Sequence, residues 1–413
     1  MPIGSSPSAL APSEIGHRWL MLAGAWLLYF SFGIMIAALA PLVQPITLEF
    51  SSGYSTMGAI FGAWQLGYVV FAIPCGALLD RVGLHLALFA CALIMALSGF
   101  LRALAGSELS LFLAVAIFGI GAPLISVGGP KLIAMWFDSK ERGFAMGIFS
   151  TGPPLGVILV FSLTNSTFMP LAGGNWRVVV LGYSLFVFAI AAIWLMIGAN
   201  KFSRALERQM KAEPKRSQLD VIRRLLQIPA VRIILLMSAG IFFFNQALNN
   251  WLPEILRSGG MDVVTAGYWA SIPTSIGIAA SLIVPYFATS SRRFNILFIV
   301  FLCAGMATLL IGYSALAIGL MAGLVLQGIA RGVMRPMLVL VLIETREVGP
   351  RNAGSAGGMF FSIAEIGGAL GSIIVGLLFD TTGSFSAALN VLTAICALLI
   401  WMLVLLRRTP SLH

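Results

Sequence analysis

The chain has 413 residues, of which 59% are hydrophobic and only 10% charged, and its mean hydropathy is +0.98. A soluble domain carries roughly 25% charged residues, so this composition excludes a soluble globular protein, a disordered chain and a nucleic-acid binder. The formal charge of +10 therefore has to be placed relative to a bilayer before it says anything about partners.

A helix that crosses a bilayer needs about 20 mostly apolar residues. In chain order the apolar runs predict twelve such helices, at 19–41, 55–79, 86–105, 109–135, 143–164, 176–198, 232–251, 263–288, 294–313, 316–341, 353–379 and 385–406. The runs are continuous rather than alternating, which excludes a β-barrel. Ala38-Leu39-Ala40 imitates a signal-cleavage site, but the run before it is longer than a signal peptide's apolar core of roughly 7–15 residues. The first helix is therefore expected to be retained. The long polar segment 199–231 divides the helices six and six. The expected organisation is a tail (1–18), a six-helix bundle (19–198), a linker (199–231), a second six-helix bundle (232–406) and a tail (407–413).

Nineteen of the 25 Lys and Arg residues fall in the tails and alternate loops of one side. Three (Arg102, Arg177, Arg257) fall on the other, and three (Lys131, Arg331, Arg335) lie within spans. The positive-inside rule then places both termini and the linker in the cytoplasm, with the protein in the inner membrane. The positive charge is a topology signal and argues against a nucleic-acid partner. The halves also repeat: Pro45 and Pro253, Gly58 and Gly267, Pro74 and Pro285, and Gly156 and Gly367 are offset by 208 to 211 residues. Parallel six-helix repeats suit a transporter with a midplane site between its halves.

Gly76-Ala77-Leu78-Leu79-Asp80-Arg81-Val82-Gly83, between the second and third spans, resembles the signature loop of the major facilitator superfamily. Gly152-Pro153-Pro154-Leu155-Gly156 in the fifth span is similar to that family's Gly-Pro motif. The usual basic pair after the loop is Leu84-His85 here, and the Arg expected near the start of the fourth span is Val115. Lys131 before Trp136-Phe137, then Lys140-Glu141-Arg142-Gly143, resembles the organic-anion symporters of the superfamily. Trp251-Leu252-Pro253 with Gly260-Met261 and Ala266-Gly267 is similar to its cyanate-permease-like members. The resemblance implies helices 1, 4, 7 and 10 around a cavity, with 2, 5, 8 and 11 beside them. It also implies that Asp80, Arg81, Arg142, Gly152 and Pro153 belong to a gate. On physical grounds a carboxylate at Asp80 suits a helix N-terminus, with Arg81 or Arg142 as its partner, and the alternative is a solvated turn.

Charged groups at membrane depth are functional candidates by default. Glu365 lies about 18 Å along the eleventh span and Arg331 about 22 Å along the tenth. The two are expected either to carry a proton and grip an anion, or to form a structural ion pair. Lys131, about 33 Å along the fourth span, either meets a departing substrate or snorkels to the headgroups. Arg335 is expected to serve Glu344 or Glu347 at the cytoplasmic end. Asn245, Gln246, Asn249 and Asn250 crowd the seventh span; they line a cavity or bond neighbouring helices. Tyr29, Gln65 and Trp64, with Tyr268 and Trp269, either line a ligand or pack.

No phosphate-binding G-x-x-x-x-G-K-[ST] loop occurs. The histidines (His17, His85, His413) lie near or beyond span ends, and the cysteines Cys75, Cys91, Cys303 and Cys396 show no metal or disulfide spacing. No catalytic residue, metal or cofactor is expected. The reading is an all-α membrane protein that moves a small anionic or zwitterionic solute, with protons as the candidate coupling ion, lipid as its surroundings and a functional monomer as its form. An exporter of drugs or metabolites, and a membrane sensor without flux, are the alternatives.

Overall fold

The computed structural model describes residues 12–198, 223–288, 292–314, 316–345 and 348–409. Every regular element among them is helical. The first half holds α1 (Pro12–Ala37), α2 (Tyr54–Val82), α3 (Leu84–Ala103), α4 (Glu108–Trp136), α5 (Ser139–Ser150 and Gly152–Leu163, joined at Thr151) and α6 (Trp176–Gly198). The second holds α7 (Pro229–Ser258), α8 (Val263–Ile283), α9 (Arg293–Tyr313), α10 (Ala317–Glu344), α11 (Gly349–Thr382) and α12 (Ser386–Arg407). By length and composition, ten of the described helices can cross a membrane; α2 and α8, continuous helices that carry Pro74 and Pro273 in their interiors, are outside that ten. Leu97, Leu185, Phe188, Leu302, Leu398 and Trp401 are exposed, as expected of helices that are apolar on their outward faces too.

The sequence placed the end of the first helix at about residue 41, and the structure ends it at Ala37. A 3₁₀ turn (Ala40–Leu42) follows α1, and a short helix (Val43–Phe50) carries Pro45 in its first turn. A proline there forfeits no helical hydrogen bond, because the first-turn N–H groups have no helical partner.

The internal repeat is written into the packing. Gly58 of α2 meets the carbonyl of Ser372 in α11, and 209 residues on, Gly267 of α8 meets that of Phe161 in α5. Gly67 and Gly119 bring α2 against α4, as Gly277 and Gly328 bring α8 against α10. Gly156 lies on the Phe30 carbonyl of α1, as Gly367 lies on the Ala239 carbonyl of α7. At each point the space for a Cβ is taken by backbone, so only glycine lets the helices approach this closely.

Successive helices alternate in direction. The face at which α1 begins is therefore also the face at which α12 ends, and we refer to it as the terminal face. Two seams join the halves, α2 with α11 and α5 with α8. Both are tight toward the opposite face, through Gly58, Gly62 and Gly267. Toward the terminal face they part: Leu66 (48%) and Val70 (67%) of α2 are exposed, and Gly147, Gly357 and Gly358 have no neighbouring atom within 4 Å of a Cβ position. The molecule is closed at one face and opens at the terminal face.

Candidate functional site

Gly328 and Gly332 of α10 seat that helix on α8, against Pro273 and Gly277. Arg331 and Arg335 stand one turn apart on another flank, about 21 and 27 Å from the start of α10. Arg331 donates from Nη2 to Oδ1 of Asn249 on α7, 2.8 Å away. Arg335 is exposed at the opening. Its guanidinium carbon lies 5.9 Å from the centre of the Phe361 ring on α11, and its charge reaches Tyr29, Arg331 and Glu365. Glu365 is one turn from Phe361, about 24 Å along α11. It is 7% exposed, and its Oε2 has no hydrogen-bond partner among the described residues. Tyr29 stacks on Phe149 with ring centres 4.4 Å apart. Tyr68 of α2 lies within electrostatic range of Glu365 and Tyr29.

Two pairings inferred from sequence are corrected here. Arg331 and Glu365 form no ion pair: Arg331 turns to Asn249, and the cation beside Glu365 is Arg335. Nor does Arg335 serve Glu344, which is bound by Arg293 at the start of α9; the alternative partner, Glu347, lies outside the described residues. The cause is position along the helix axis. Residue 335 is one turn beyond residue 331, which carries Arg335 to the level of Phe361 and Glu365 on the neighbouring helix.

The amides divide. Asn249 faces Arg331, and Asn250 donates to Ser372 Oγ of α11 at 2.8 Å, which makes it a packing residue. Asn245 donates to its own helix at Ile241 and leaves Oδ1 without a partner among the described residues. Gln246 and Gln65 both crowd Gly368 of α11. Gln65, and likewise Gln327 one turn before Arg331, is fully buried with neither side-chain polar atom bonded among the described residues. Trp64 is a packing residue, set edge-on to Phe32, Phe118 and Tyr68. Lys131 is half-buried about 8 Å from the end of α4 at the terminal face, away from the level of Arg331.

The sequence profile of the Major Facilitator Superfamily matches residues 25–342. The chain belongs to that superfamily. It is 23% identical over 367 residues to the hexuronate transporter of Bacillus subtilis (strain 168), covering 84% of each chain. It is 26% identical over 388 residues to a probable L-galactonate transporter of Escherichia coli (strain K12), covering 86% of this chain and 82% of that one. Among solved structures, the nucleoside transporter NupG superposes with a TM-score of 0.76 at 15% identity, over 95% of this chain and 99% of that one. That likeness concerns the fold alone.

Within this superfamily fold the expected gate residues take several places. The Asp80 side chain lies outside the described residues. Arg81 ends α2, and Gly83, at φ 100°, makes the turn into α3. Arg142 donates to the carbonyls of Ala134 and Phe137 and so caps the C-terminal end of α4. The Gly-Pro motif binds α5 to α1 inside the first half: Gly33 fits against the Pro153 backbone, Gly152 against Tyr29 and Phe30, and Trp26 donates to Thr151 Oγ1 at 3.0 Å.

The closing contacts that sequence reasoning missed are at the opposite face. Asp380, at the end of α11, accepts from the backbone N–H groups of Tyr54 (2.8 Å) and Ser55 (2.7 Å), the first residues of α2. The Tyr54 hydroxyl donates to Glu254 of α7, and Arg257 pairs with the same carboxylate. Tyr54, Trp251, Phe379 and Phe385 stack around this cluster. Acidic residues near span ends were the one available signal, and their partners in the other half were not.

Proposed function

We propose that this protein carries a small organic anion of the hydroxylated carboxylate class across the inner membrane by alternating access, with its terminal face cytoplasmic. One observation carries the reading. Two arginines, Arg331 and Arg335, stand at membrane depth at the foot of the opening, held by an amide and an aromatic ring rather than by ion pairs within 4 Å among the described residues. A guanidinium in such a place is retained for a counter-ion that arrives and leaves. The hexuronate and galactonate relatives support a sugar-acid cargo, and hydroxyl-rich cargo suits the buried amides Gln65, Gln327 and Asn245. Glu365, beside Arg335, is the proposed proton site. The cavity is completed within one chain, which favours a functional monomer, and the exposed apolar flanks contact lipid.

The test is uptake into proteoliposomes of labelled galacturonate and galactonate, with and without an inwardly directed proton gradient. Accumulation driven by the gradient and reduced at least tenfold in Arg331→Gln supports the reading. Transport confined to neutral or cationic solutes overturns it in favour of the exporter.

A further inference from the structure

The charges around the site do not balance. Arg331 and Arg335 bring two positive charges, and Glu365 brings at most one negative charge. The groups facing Glu365 are Arg335 from α10, with Arg331 one turn away, Tyr29 from α1 and Tyr68 from α2. From α7 the groups at this level are the amides Asn245 and Gln246, and α12 points its Cys396 at Gly305 of α9. With the tyrosines neutral, the empty site carries +1 when Glu365 is ionised and +2 when it is protonated. Net charge enclosed away from water is costly, so the occluded complex is most stable when cargo and site cancel.

Building on the anion reading above, we infer that cargo charge and the Glu365 proton are matched one for one. A monocarboxylate is held with Glu365 ionised, and a dicarboxylate is held with Glu365 protonated. The complex of the dianion therefore contains one more proton than that of the monoanion, whatever the empty protein contains. The proton passes from water to a Glu365 carboxylate oxygen, and no bond within the cargo changes. The site is thereby suited to both acids of one oxidation series, the uronate and the aldarate, with a different number of co-transported protons for each. Oε2 of Glu365 accepts no hydrogen bond among the described residues, so no donor at that oxygen holds the carboxylate in its ionised form.

The experiment measures the affinity of the purified full-length protein for galacturonate and for galactarate between pH 6 and 8, where both ligands stay fully ionised. A one-proton difference makes the affinity for galactarate, relative to galacturonate, fall about tenfold per pH unit as pH rises. In Glu365→Gln the ratio is expected to become independent of pH, with galactarate still bound and galacturonate weakened. Arg335→Gln, which removes one positive charge, is expected to weaken galactarate by a larger factor than galacturonate. A ratio that does not vary with pH in the wild type, a slope that survives in Glu365→Gln, or equal losses of both ligands in Arg335→Gln overturns the inference. If the wild type binds neither acid at any pH, the anion reading itself fails, and the two failures are thus distinct.

Discussion

At the scale of single residues, the site depends on how each guanidinium is anchored. Arg331 keeps its direction through Asn249, and a hydrogen bond to a charged group contributes about 1.5–3 kcal/mol. Asn249→Ala is expected to weaken cargo affinity about tenfold or more while the protein stays folded, as measured by competition binding, because the arginine loses its acceptor but not its charge. Arg331→Lys is not an equivalent change, since the ammonium lacks the planar fork that meets a carboxylate with two donors. The ionisable residues within spans were legible from sequence, because their cost in a bilayer makes them rare. Their partners were not. Which neighbour a long side chain takes depends on the rotation and the axial shift of one helix against the next, and apolar periodicity defines neither closely in helices that are apolar on every side. The pairing of Arg331 with Glu365 failed for that reason, and that of Arg335 with Glu344 with it.

Elements are joined in this protein mainly by glycine set against backbone. A Cβ at position 119 would overlap the Trp64 carbonyl oxygen of α2. Gly119→Ala is therefore expected to separate α2 from α4 and destabilise the protein by about 1–3 kcal/mol, the usual range for overpacking, and to be seen as a lower melting temperature in detergent. Gly147, beside which nothing lies within 4 Å, is the control: Gly147→Ala should leave the melting temperature unchanged or slightly raised. The twelve helices and the 208–211-residue offset were readable because long apolar runs and punctuating glycines survive without knowledge of tertiary structure. The contacts those glycines make were not, since each partner belongs to a helix remote in sequence. The short helix after α1 was missed because its break falls within an apolar stretch, whereas Pro153 and Pro154 marked the fifth span as bent beside the Thr151 junction.

At the scale of the whole molecule, the contacts at the opposite face hold one of two states. Asp380 lies 326 residues from Tyr54 in sequence, yet its carboxylate satisfies the first N–H groups of α2, where the helix dipole also favours negative charge. Opening that face requires these hydrogen bonds to break. Asp380→Ala should therefore shift the population away from the state open at the terminal face. A cysteine at Leu66, in the opening, reports this: its labelling by a polar maleimide should slow severalfold in the Asp380→Ala background. Unchanged labelling would show that the contact does not bias the two states.

The cationic side chains of the site lie in the second half, on α10, together with Glu365 on α11 and the amide anchor on α7. Of the first half, Tyr29, Tyr68 and the uncharged amide Gln65 come close to them, while Trp64, Phe32 and Phe118 pack on one another. Cargo selection and mechanical closure are thus divided unequally between two structurally similar units. On the anion reading proposed above, a chimera that joins residues 223–409 of this protein to the first half of a relative is expected to keep this protein's cargo preference, and the reciprocal chimera to lose it. The two units share one architecture, and the placement of a few ionisable side chains makes one of them the chemist and the other the wall it works against.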